Sequence, residues 1–282
     1  MVPEIIPKAP HPVAGLENSG FPFETGGVYS PAVAETLTVN EIYLSLQGES
    51  TWAGLPCVFV RLTACNLRCS YCDTAYAFTQ GNKRSLPEVW SEVERLAAPY
   101  GSVTAKAGAS GPTRMPLVEF TGGEPLLQAA SATAMKELCD RGYTVLVETS
   151  GAWDISTLDP RIHRIMDLKC PSSGESPKNR WENLAYLRAT DEIKFVIGTR
   201  EDYEWAKEMV LRHGLATICP QLFSWVAPLA GHQRDKSLKP VPMGMTPISR
   251  VDLVESIVRD HLPVRFQLQM HKFIWPPDQK GV

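Results

Sequence analysis

The sequence lacks the features that mark several large classes of protein. It has no run of about 18 apolar residues, so it predicts no membrane-spanning helix. Its proline- and glycine-rich first 35 residues contain no apolar core, and they therefore do not predict a secretion signal. Neither charge dominates, since 28 basic residues face 31 acidic ones. This balance argues against a general nucleic-acid surface. We expect a protein that binds neither membranes nor nucleic acid.

A disulfide scaffold is not expected either. The seven cysteines are an odd number, and three of them fall in one short motif. This usage fits a reducing compartment, and it predicts a cytoplasmic protein. A chain of 282 residues can bury one sizeable core, and nothing forces a second one.

The most informative motif contains Cys65, Cys69 and Cys72, which lie within eight residues. No fourth Cys or His stands nearby, although a structural zinc site is nearly always four-coordinate. Three thiolates can instead hold a [4Fe–4S] cluster by three irons and leave the fourth iron open to a small molecule. This spacing resembles that of the radical S-adenosylmethionine (SAM) enzymes, and so does the aromatic Tyr71 just before the last cysteine.

Two other interpretations of these cysteines stay open at this point. A zinc ion would need a remote fourth ligand, such as His163 or Cys170. Buried thiols without metal are less favoured, because three thiols this close are easily oxidised.

The chain divides into an arm and a core. Residues 1–37 are rich in proline and show no helical or strand period, which predicts an arm. In residues 38–282, short apolar runs alternate with amphipathic stretches, and this predicts an α/β fold with buried parallel strands. The predicted strands are Cys57–Leu62, Leu117–Phe120, Tyr143–Val147, Arg164–Leu168, Glu192–Ile197, Ala216–Cys219 and Val264–Leu268.

Helical patterns separate these runs. The predicted helices are Pro87–Ala97, Pro125–Arg141, Glu201–Arg212 and Pro247–Arg259, and the segments Gly101–Pro116 and Ala230–Met245 look like loop insertions. Six or so strand–helix repeats can bend a parallel sheet into a barrel. We therefore predict a partial (β/α)6-type radical SAM barrel with a proline-rich N-terminal arm.

Polar or glycine-rich sequence follows four of the predicted strands, where a parallel sheet collects its chemistry. The four segments are the cysteine motif, Thr121–Pro125, Glu148–Gly151 and Asp167–Lys169. Gly122 and Gly123 allow close backbone approach to a ligand. Glu148, Ser150 and Lys169 are candidates for the ribose and carboxylate of SAM, with ordinary strand-end solvation as the alternative.

Three further features have two interpretations each. Asp73-Thr74 offers hard oxygen ligands for Mg²⁺, but this dipeptide is also a common helix N-cap. Arg61 can pair a substrate carboxylate through two hydrogen bonds or form a structural ion pair. Gln47-Gly48 suits the edge of a heterocycle, or it is simply a strand running into a turn.

The combined motifs resemble one family. The runs Ser45–Glu49, Phe59–Leu62, Cys65–Cys69, Tyr71–Thr74 and Glu119–Pro125 are similar to those of the 7-carboxy-7-deazaguanine synthases, the radical SAM enzymes of queuosine and deazapurine biosynthesis. The similarity extends from about Thr38 to His271 and includes Asp167–Pro171, Ile193–Val196 and Gln267–Lys272.

The resemblance implies a reaction. The substrate is 6-carboxy-5,6,7,8-tetrahydropterin, rearranged with loss of ammonia to 7-carboxy-7-deazaguanine. The adenosyl radical takes hydrogen from the carbon that bears the carboxylate, so no catalytic side chain is implied. The implied partners are a pterin substrate, an electron donor such as flavodoxin and a second copy in a homodimer.

The resemblance also assigns site residues. Leu46, Gln47, Gly48, Arg61 and Thr121 bind substrate, and Thr74 ligates Mg²⁺ beside the substrate carboxylate. It assigns Gly123, Glu124, Ser150, Asp167, Lys169, Pro220 and Gln221 to SAM, and Glu148 joins them as a candidate from its position after a predicted strand.

The sequence departs from the family pattern in three places. The arm before Thr38 and the Ala230–Met245 segment lack counterparts in shorter members, and a tail follows Trp275, so the roles of His271 and Val282 stay open. Two rival functions remain. One is a radical SAM activase that installs a glycyl radical on a partner enzyme, and the other is a non-catalytic iron–sulfur redox sensor.

Overall fold

The strands and helices of the core follow the alternation of buried and amphipathic segments. The computed structural model describes residues 35–106, 112–276 and 279–282. The strands are β1 Thr36–Leu46, β2 Pro56–Leu62, β3 Asn82–Ser85, β4 Thr104–Lys106, β5 Pro112–Arg114, β6 Leu117–Gly122, β7 Val145–Thr149, β8 His163–Asp167, β9 Glu192–Ile197, β10 Gln221–Trp225 and β11 Arg265–Gln267. The helices are α1 Leu86–Ala97, α2 Ala130–Asp140, α3 Arg200–Arg212, α4 Arg250–Arg259 and α5 His271–Ile274.

Nine of the described strands form one sheet in the order β11-β10-β9-β8-β7-β6-β2-β1-β3. The strands from β11 to β2 in this order are parallel, whereas β1 is antiparallel to both of its neighbours. Helices connect β6 to β7, β9 to β10 and β10 to β11, but 3-10 turns and loops connect β7 to β8 and β8 to β9. The predicted α/β class with a mainly parallel sheet is confirmed.

The sheet curves around a concave face. Lys194 of β9 contacts Glu49, in the turn between β1 and β2, at 3.0 Å, although three strands separate β9 from β2 in the sheet. The β1–β2 turn thus folds over the same face of the sheet toward β9, as in a sheet that curves around that face. The sheet nevertheless ends at β3 and β11 among the described residues, which agrees with the predicted partial barrel.

The two faces of each strand differ in polarity. Residues such as Val60, Phe120, Val147 and Phe195 belong to the main apolar core beneath the helices. Their neighbours point to the concave face, because successive side chains alternate across a strand. On the concave face, an apolar cluster lies near the amino ends of the strands and consists of Trp52, Cys57, Phe59, Met115, Leu117, Leu146 and Ile165. Polar residues continue from it toward the carboxyl ends.

Local sequence sets the helix ends. Ser85 caps α1 and Thr199 caps α3, each in a capping box with the acidic residue three positions later. Such caps satisfy amide groups that the first turn leaves free. Three of the four predicted helices are confirmed as α1, α3 and α4, within three residues at each end.

Three predicted elements need correction. The predicted helix Pro125–Arg141 is a 3-10 turn, Pro125–Leu127, followed by α2. The helix is interrupted there because the backbone of Gln128 is extended and its side chain hydrogen-bonds to the backbone of Thr38. The strand predicted at Ala216–Cys219 is wrong: a 3-10 turn lies there, following the left-handed Gly214.

The third correction concerns Gly101–Pro116, where β4 and β5 pair as a separate hairpin. At the other boundary, β1 begins at Thr36, so the last two residues of range 1–37 belong to the sheet. Glu35 is also described, since its carbonyl accepts from the amide of Leu86 at 3.1 Å, and residues 1–34 of the predicted arm lie outside the described residues. No helix in the described ranges combines the length and apolar character needed to cross a membrane.

Candidate active site

The four polar strand ends predicted from the sequence lie side by side. β2, β6, β7 and β8 are consecutive neighbours in the sheet, and each pair is parallel. Their carboxyl ends therefore share one edge, which brings together the cysteine loop and the segments after β6, β7 and β8. We call this the carboxyl edge.

The cysteine loop, residues 64–74, starts with an unusual backbone conformation. Ala64 has a φ of 78°, in the left-handed region that non-glycine residues rarely adopt. Its amide donates to the carbonyl of Ala77 at 2.9 Å, and its carbonyl accepts from the amide of Glu124 at 2.8 Å. The turn after β6 thus helps to hold the strained start of the loop in place.

The middle of the loop is tied to the segment after β8. The Arg68 amide donates to Oε1 of the buried Glu175 at 2.8 Å. The Ser70 hydroxyl donates to the carbonyl of Ser172 at 2.7 Å, and the Ser70 amide donates to that of Ser173 at 3.0 Å. Fixed at its start and in its middle, the loop brings its three thiols close enough to act on one another electrostatically.

Burial shapes the chemistry of these thiols. It raises the pKa of Cys65 and Cys69, and it raises that of Cys72 to about 11. The ammonium of Lys169 opposes this effect at Cys65 and Cys69. Iron binds the thiolate, so a fixed positive charge beside the cysteines favours the ligand form.

The Ala230–Met245 segment covers part of the loop. Leu238 packs in an apolar cluster with Ala75 and Phe78, and Cys65 and Cys72 lie against this cluster. The Lys239 amide donates to the carbonyl of Arg68 at 3.0 Å. The predicted insertion thus covers part of the cysteine loop, whose Cys65 and Cys72 stay half-buried.

A zinc site with either proposed remote ligand does not fit. His163 lies at the amino end of β8, where its ring contacts Trp52 with centroids 4.9 Å apart. Cys170 is fully buried in the main core, and its thiol donates to the carbonyl of Leu168. In the part of the chain that the structure describes, no three His, Cys, Asp or Glu side chains surround a common point for one ion. Three neighbouring thiols without a fourth protein ligand are the donor set of a [4Fe–4S] cluster with an open iron.

Gly122 and Gly123 permit close contact between the turn after β6 and the cysteine loop. A Cβ atom on Gly123 would lie 2.0 Å from the Ala64 oxygen and 3.0 Å from the Cys65 Cβ. Gly122 has a φ of 131°, which strains any other residue. The glycines therefore bring the backbone of this turn against the first cysteine.

Glu124 is completely buried, and protein donors occupy its carboxylate. Oε2 accepts from the amide and hydroxyl of Ser150 at 2.7 and 2.5 Å. Oε1 accepts from the Thr149 hydroxyl at 2.8 Å and the Leu126 amide at 3.0 Å. The side chain thus joins the ends of β6 and β7 and does not face an open ligand site.

Asp167 and Lys169 form a buried ion pair at the end of β8. Burial alone would raise the pKa of Asp167, but Lys169 and Lys194 lower it. Oδ1 of Asp167 has no hydrogen-bond partner among the described residues, although Lys194 Nζ lies 3.7 Å away. A buried acceptor without a donor is costly, and a ligand hydroxyl or cation would satisfy it.

Gln47 stands in the turn between β1 and β2, which folds into the concave face. Its Nε2 donates to Oε2 of Glu119 at 2.5 Å, and its Oε1 accepts from the Glu49 amide at 2.5 Å. Gly48 lies against the C-terminal segment, because a Cβ there would stand 2.7 Å from Nδ1 of His271. Leu46, the last residue of β1, leads into this turn.

Arg61 is held on the concave face by two side chains. Nε pairs with Oε1 of Glu41 at 2.7 Å, and Nη2 donates to the Tyr43 hydroxyl at 2.7 Å. Burial alone would lower its pKa, but Tyr43, Tyr76 and Glu41 raise it. The structural ion pair exists, and it fixes a permanent cation beside Thr121, its partner in the β2–β6 register.

Asp73 and Thr74 have different surroundings. Asp73 pairs with Lys272 at 2.5 Å and accepts from Gln269 at 3.2 Å. Burial alone would raise its pKa, but Lys272 lowers it to about 2. Thr74 stands at the N-cap of the short turn Ala75–Phe78, yet its side chain makes no capping hydrogen bond. Its hydroxyl instead lies 3.7 Å from the Cys72 thiol, so the N-cap interpretation does not account for it.

No protein-family model matches the chain. The chain is 43% identical over 247 residues to the 7-carboxy-7-deazaguanine synthase of Koribacter versatilis, and the match covers 87% of this chain and 100% of the relative. It is 38% identical over 249 residues to that of Chlorobaculum tepidum, covering 87% and 97%. The chain belongs to the 7-carboxy-7-deazaguanine synthase family. The resemblance drawn from the motifs is confirmed.

A solved structure supports the same fold. QueE from Escherichia coli superimposes with a TM-score of 0.58 at 20% identity, over 84% of this chain and 95% of that chain. Membership of this radical SAM family implies a [4Fe–4S] cluster and SAM, and the three thiols described above fit the cluster.

Two residues assigned to SAM do not reach this site. Pro220 precedes β10 and Gln221 begins it, so both lie at the amino edge of the sheet, opposite the cysteine loop. The buried Gln221 amide donates to the carbonyls of Leu215 and Cys219. The residues at the carboxyl end of this strand are Ser224 and Trp225. The misplacement follows from predicting the strand five residues early.

The sequence analysis gave no role to Glu49, Glu119 and Lys194, which lie on the concave face. A signal was available for two of them. In the runs Leu-Val-Glu-Phe-Thr and Glu-Ile-Lys-Phe-Val, ionisable residues alternate with apolar ones inside buried strands. Alternation with period two places such residues together on one face, where a buried charge calls for a partner.

The C-terminal segment of this family member closes part of the concave face. Gln269 donates to Glu49 at 3.0 Å and to Asp73 at 3.2 Å, and so it links the β1–β2 turn to the cysteine loop. Farther along, Lys280 Nζ lies 4.1 Å from the centroid of the Tyr76 ring. The Met270 amide donates to the carbonyl of Gly48 at 2.9 Å, so the segment after β11 adjoins one of the predicted substrate residues.

Proposed function

We propose that this protein performs the ring contraction of its family as a radical SAM carbon–nitrogen lyase. It converts 6-carboxy-5,6,7,8-tetrahydropterin to 7-carboxy-7-deazaguanine with loss of ammonia. The proposal rests on one observation: the cysteine motif and the predicted substrate residues lie on the same curved sheet. The chain is also 43% identical to a relative in this family. The cysteine loop follows β2 at the carboxyl edge, and Gln47 and Thr121 contact the carboxylates of the concave face.

Cys65, Cys69 and Cys72 hold the cluster in this proposal. When bound, the cluster and SAM supply the radical that abstracts hydrogen from the substrate. The chain limits the access of water to this chemistry, because the apolar cluster that contains Leu238 packs against Cys65 and Cys72 and Gln269 links the β1–β2 turn to the cysteine loop. Exclusion of water protects a reactive intermediate from side reactions.

The SAM side consists of Gly123, Ser150, Asp167, Lys169 and Glu148. SAM carries an ammonium, a sulfonium and a carboxylate, so it needs both signs of charge in its site. Asp167 and Lys169 supply both within one ion pair. Ser150 is oriented by Glu124, which therefore acts as a positioning residue.

The substrate side consists of Leu46, Gln47, Gly48, Arg61 and Thr121. Arg61 is buried and cationic, and Glu41 and Tyr43 fix its guanidinium, so it suits the carboxylate of the pterin. Both polar atoms of the Gln47 side-chain amide have protein partners: Nε2 donates to Glu119, and Oε1 accepts from the Glu49 amide. Such preorganisation favours one orientation of the heterocycle.

Magnesium is part of this proposal through Thr74. Its hydroxyl makes no capping bond, and Asp73 beside it is partly exposed. Mg²⁺ keeps several waters and needs few protein ligands, so a single hydroxyl beside the substrate carboxylate suffices.

The electron donor is a flavodoxin-like acidic carrier in this proposal. The segment that covers the cysteine loop carries the exposed Arg234, Lys236 and Lys239 against one exposed acidic residue, Asp235, although Lys239 also pairs with Glu175 at 3.0 Å. Positive charge beside the cluster steers a negatively charged donor toward it.

The proposal also includes a homodimer in the cytoplasm. α4 exposes Val251, Val254 and Val258 on one face, which is the apolar surface that a second copy would cover. All seven cysteines are free, as a reducing compartment requires.

One anaerobic turnover tests the function. Reconstituted protein is mixed with SAM, dithionite, Mg²⁺ and 6-carboxytetrahydropterin, and products are read by liquid chromatography–mass spectrometry. The expected product is 7-carboxy-7-deazaguanine. Cys69→Ala should abolish it, whereas Cys139→Ala, a buried thiol on α2, should not. Deoxyadenosine without the deazaguanine would favour another radical SAM reaction, such as glycyl-radical activation.

A further inference from the structure

Lys194 occupies the centre of the concave face, between the two sides of the site. It lies on β9, and its side chain is 6% exposed. Its ammonium pairs with Glu49 at 3.0 Å, with Glu148 still more closely, and with Asp167 at 3.7 Å. One ammonium thus interacts with three carboxylates, which belong to the β1–β2 turn, β7 and β8.

These carboxylates belong to different halves of the proposed site. Glu49 follows Gln47-Gly48, and its amide donates to the Gln47 side chain at 2.5 Å. Glu148 and Asp167 stand at the ends of β7 and β8, on the SAM side. Thr121 bridges the halves, because its hydroxyl donates to Glu148 Oε2 at 3.2 Å.

The ammonium stays charged throughout. Burial alone would lower the pKa of Lys194, but Asp167, Glu148 and Glu49 raise it well above its usual value. Three carboxylates compete for this charge, so a cationic ligand that pairs with one of them changes how strongly Lys194 holds the others.

We propose that Lys194 is a positioning residue that couples the SAM side of the site to the substrate side, so that each ligand strengthens binding of the other. This inference rests on the proposed function. The cationic groups of SAM neutralise the carboxylates on their side and release Lys194 toward Glu49. A stronger Lys194–Glu49 ion pair then holds Glu49 in place. The Glu49 amide in turn orients the Gln47 side chain, which hydrogen-bonds to the pterin in the proposed function.

The coupling is reciprocal by thermodynamic necessity. If SAM lowers the Kd of the pterin by some factor, the pterin lowers the Kd of SAM by the same factor. We expect about 5- to 20-fold, within the usual range for coupled sites. A residue that only supports the fold would change both affinities and leave this factor unaltered.

Calorimetric titration of the protein with oxidised cluster tests the coupling without turnover. The Kd of the pterin is measured with and without saturating SAM, in the wild type, Lys194→Met and Lys194→Arg. We expect the factor to fall to about one in Lys194→Met and to be partly kept in Lys194→Arg. Lys207→Met, which removes a lysine ion pair on α3, should keep the wild-type factor.

The possible results distinguish failure of the proposed function from failure of the proposed coupling. A wild-type protein that binds no pterin contradicts the proposed function. A wild-type factor of one, or an unchanged factor in Lys194→Met, contradicts the coupling while the function stands. If Lys194→Met does not fold, Glu49→Gln serves instead, because it removes the substrate-side charge and keeps the shape. Its factor should also fall to about one, and an unchanged factor there overturns the inference.

Discussion

The carboxylate of Glu124 holds Ser150 by two hydrogen bonds, 2.7 Å from its amide and 2.5 Å from its hydroxyl. Both residues were assigned to SAM from the sequence, yet they bind one another. Glu124 therefore contributes to the site through Ser150. Because both side chains are buried, removing either leaves a polar group unsatisfied in the other.

A double-mutant cycle tests this relationship. Glu124→Gln and Ser150→Ala should each weaken SAM binding by about tenfold, because each disturbs the same arrangement. The double variant should be little worse than either single one. The Kd of SAM is measured by calorimetry, with the exposed Ser237→Ala as control. Additive losses would show that the two residues act separately.

Gly123→Ala should displace the cysteine loop. The new Cβ would meet the Ala64 oxygen at 2.0 Å, and backbone cannot move away as cheaply as a side chain. We expect less iron per chain after reconstitution and weaker SAM binding. Gly231→Ala is the matched control, since a Cβ there meets nothing within 4 Å. Full iron content and unchanged SAM affinity in Gly123→Ala would contradict the proposed role.

Leu238→Ala should expose the cluster to solvent. Leu238 belongs to the apolar cluster against which Cys65 and Cys72 pack, and truncation leaves a gap in that cluster. We expect faster bleaching of the cluster absorbance in air. Leu211→Ala, at a residue 64% exposed on α3, should bleach at the wild-type rate. Equal rates for both variants would mean that the segment does not protect the cluster.

Lys272→Met should destabilise the chain in a pH-dependent way. The pKa of Asp73 is about 2 in the fold, below its usual 3.8. The ion pair therefore stabilises the folded state above about pH 4, and this contribution is lost as the pH falls toward 2. Because Asp73 is 27% exposed, we expect only about 1–2 kcal/mol.

Urea unfolding of the cluster-free chain checks this prediction. The difference in free energy of unfolding between wild type and Lys272→Met should be largest at neutral pH and should shrink between about pH 4 and pH 2. Lys136→Met removes an exposed pair on α2 and should change stability by less than about 0.5 kcal/mol. A difference that stays constant down to pH 2 would exclude Asp73 as its origin.

Arg61→Lys should raise the KM for the pterin more than it lowers kcat. Lysine keeps the charge but loses the planar fork that Glu41 and Tyr43 orient and that pairs a carboxylate twice. We expect an increase of about 10- to 100-fold in KM. Steady-state kinetics measures it, and the exposed Arg95→Lys is the control. A change confined to kcat would place Arg61 away from the substrate carboxylate.

The sequence predicted the carboxyl edge of the sheet well, because strand ends are marked locally. Apolar runs end at Leu62, Phe120 and Val147, and polar or glycine-rich residues follow each one. Parallel pairing then forces these ends together. The cysteine motif, the glycines and Asp167-Lys169 could all be placed by this reasoning.

The concave face and its closure could not be predicted in the same way. The link from Lys194 to Glu49 spans 145 residues, and the link from Gln269 to Asp73 spans 196. Such contacts depend on how far the sheet curves, which no local pattern encodes. The assignment of Pro220 and Gln221 to the site has a related cause. The predicted position of β10 was a few residues too early, which placed these two residues at the carboxyl edge when they lie at the amino edge.

The most direct test of the account follows one hydrogen atom. Substrate carrying deuterium on the carbon that bears the carboxylate is turned over anaerobically, and SAM, deoxyadenosine and product are analysed by mass spectrometry. The account predicts deuterium in the adenosyl group and 7-carboxy-7-deazaguanine in the same reaction. Product formed with no deuterium in the adenosyl group would contradict it, because the radical would then not have acted at that carbon.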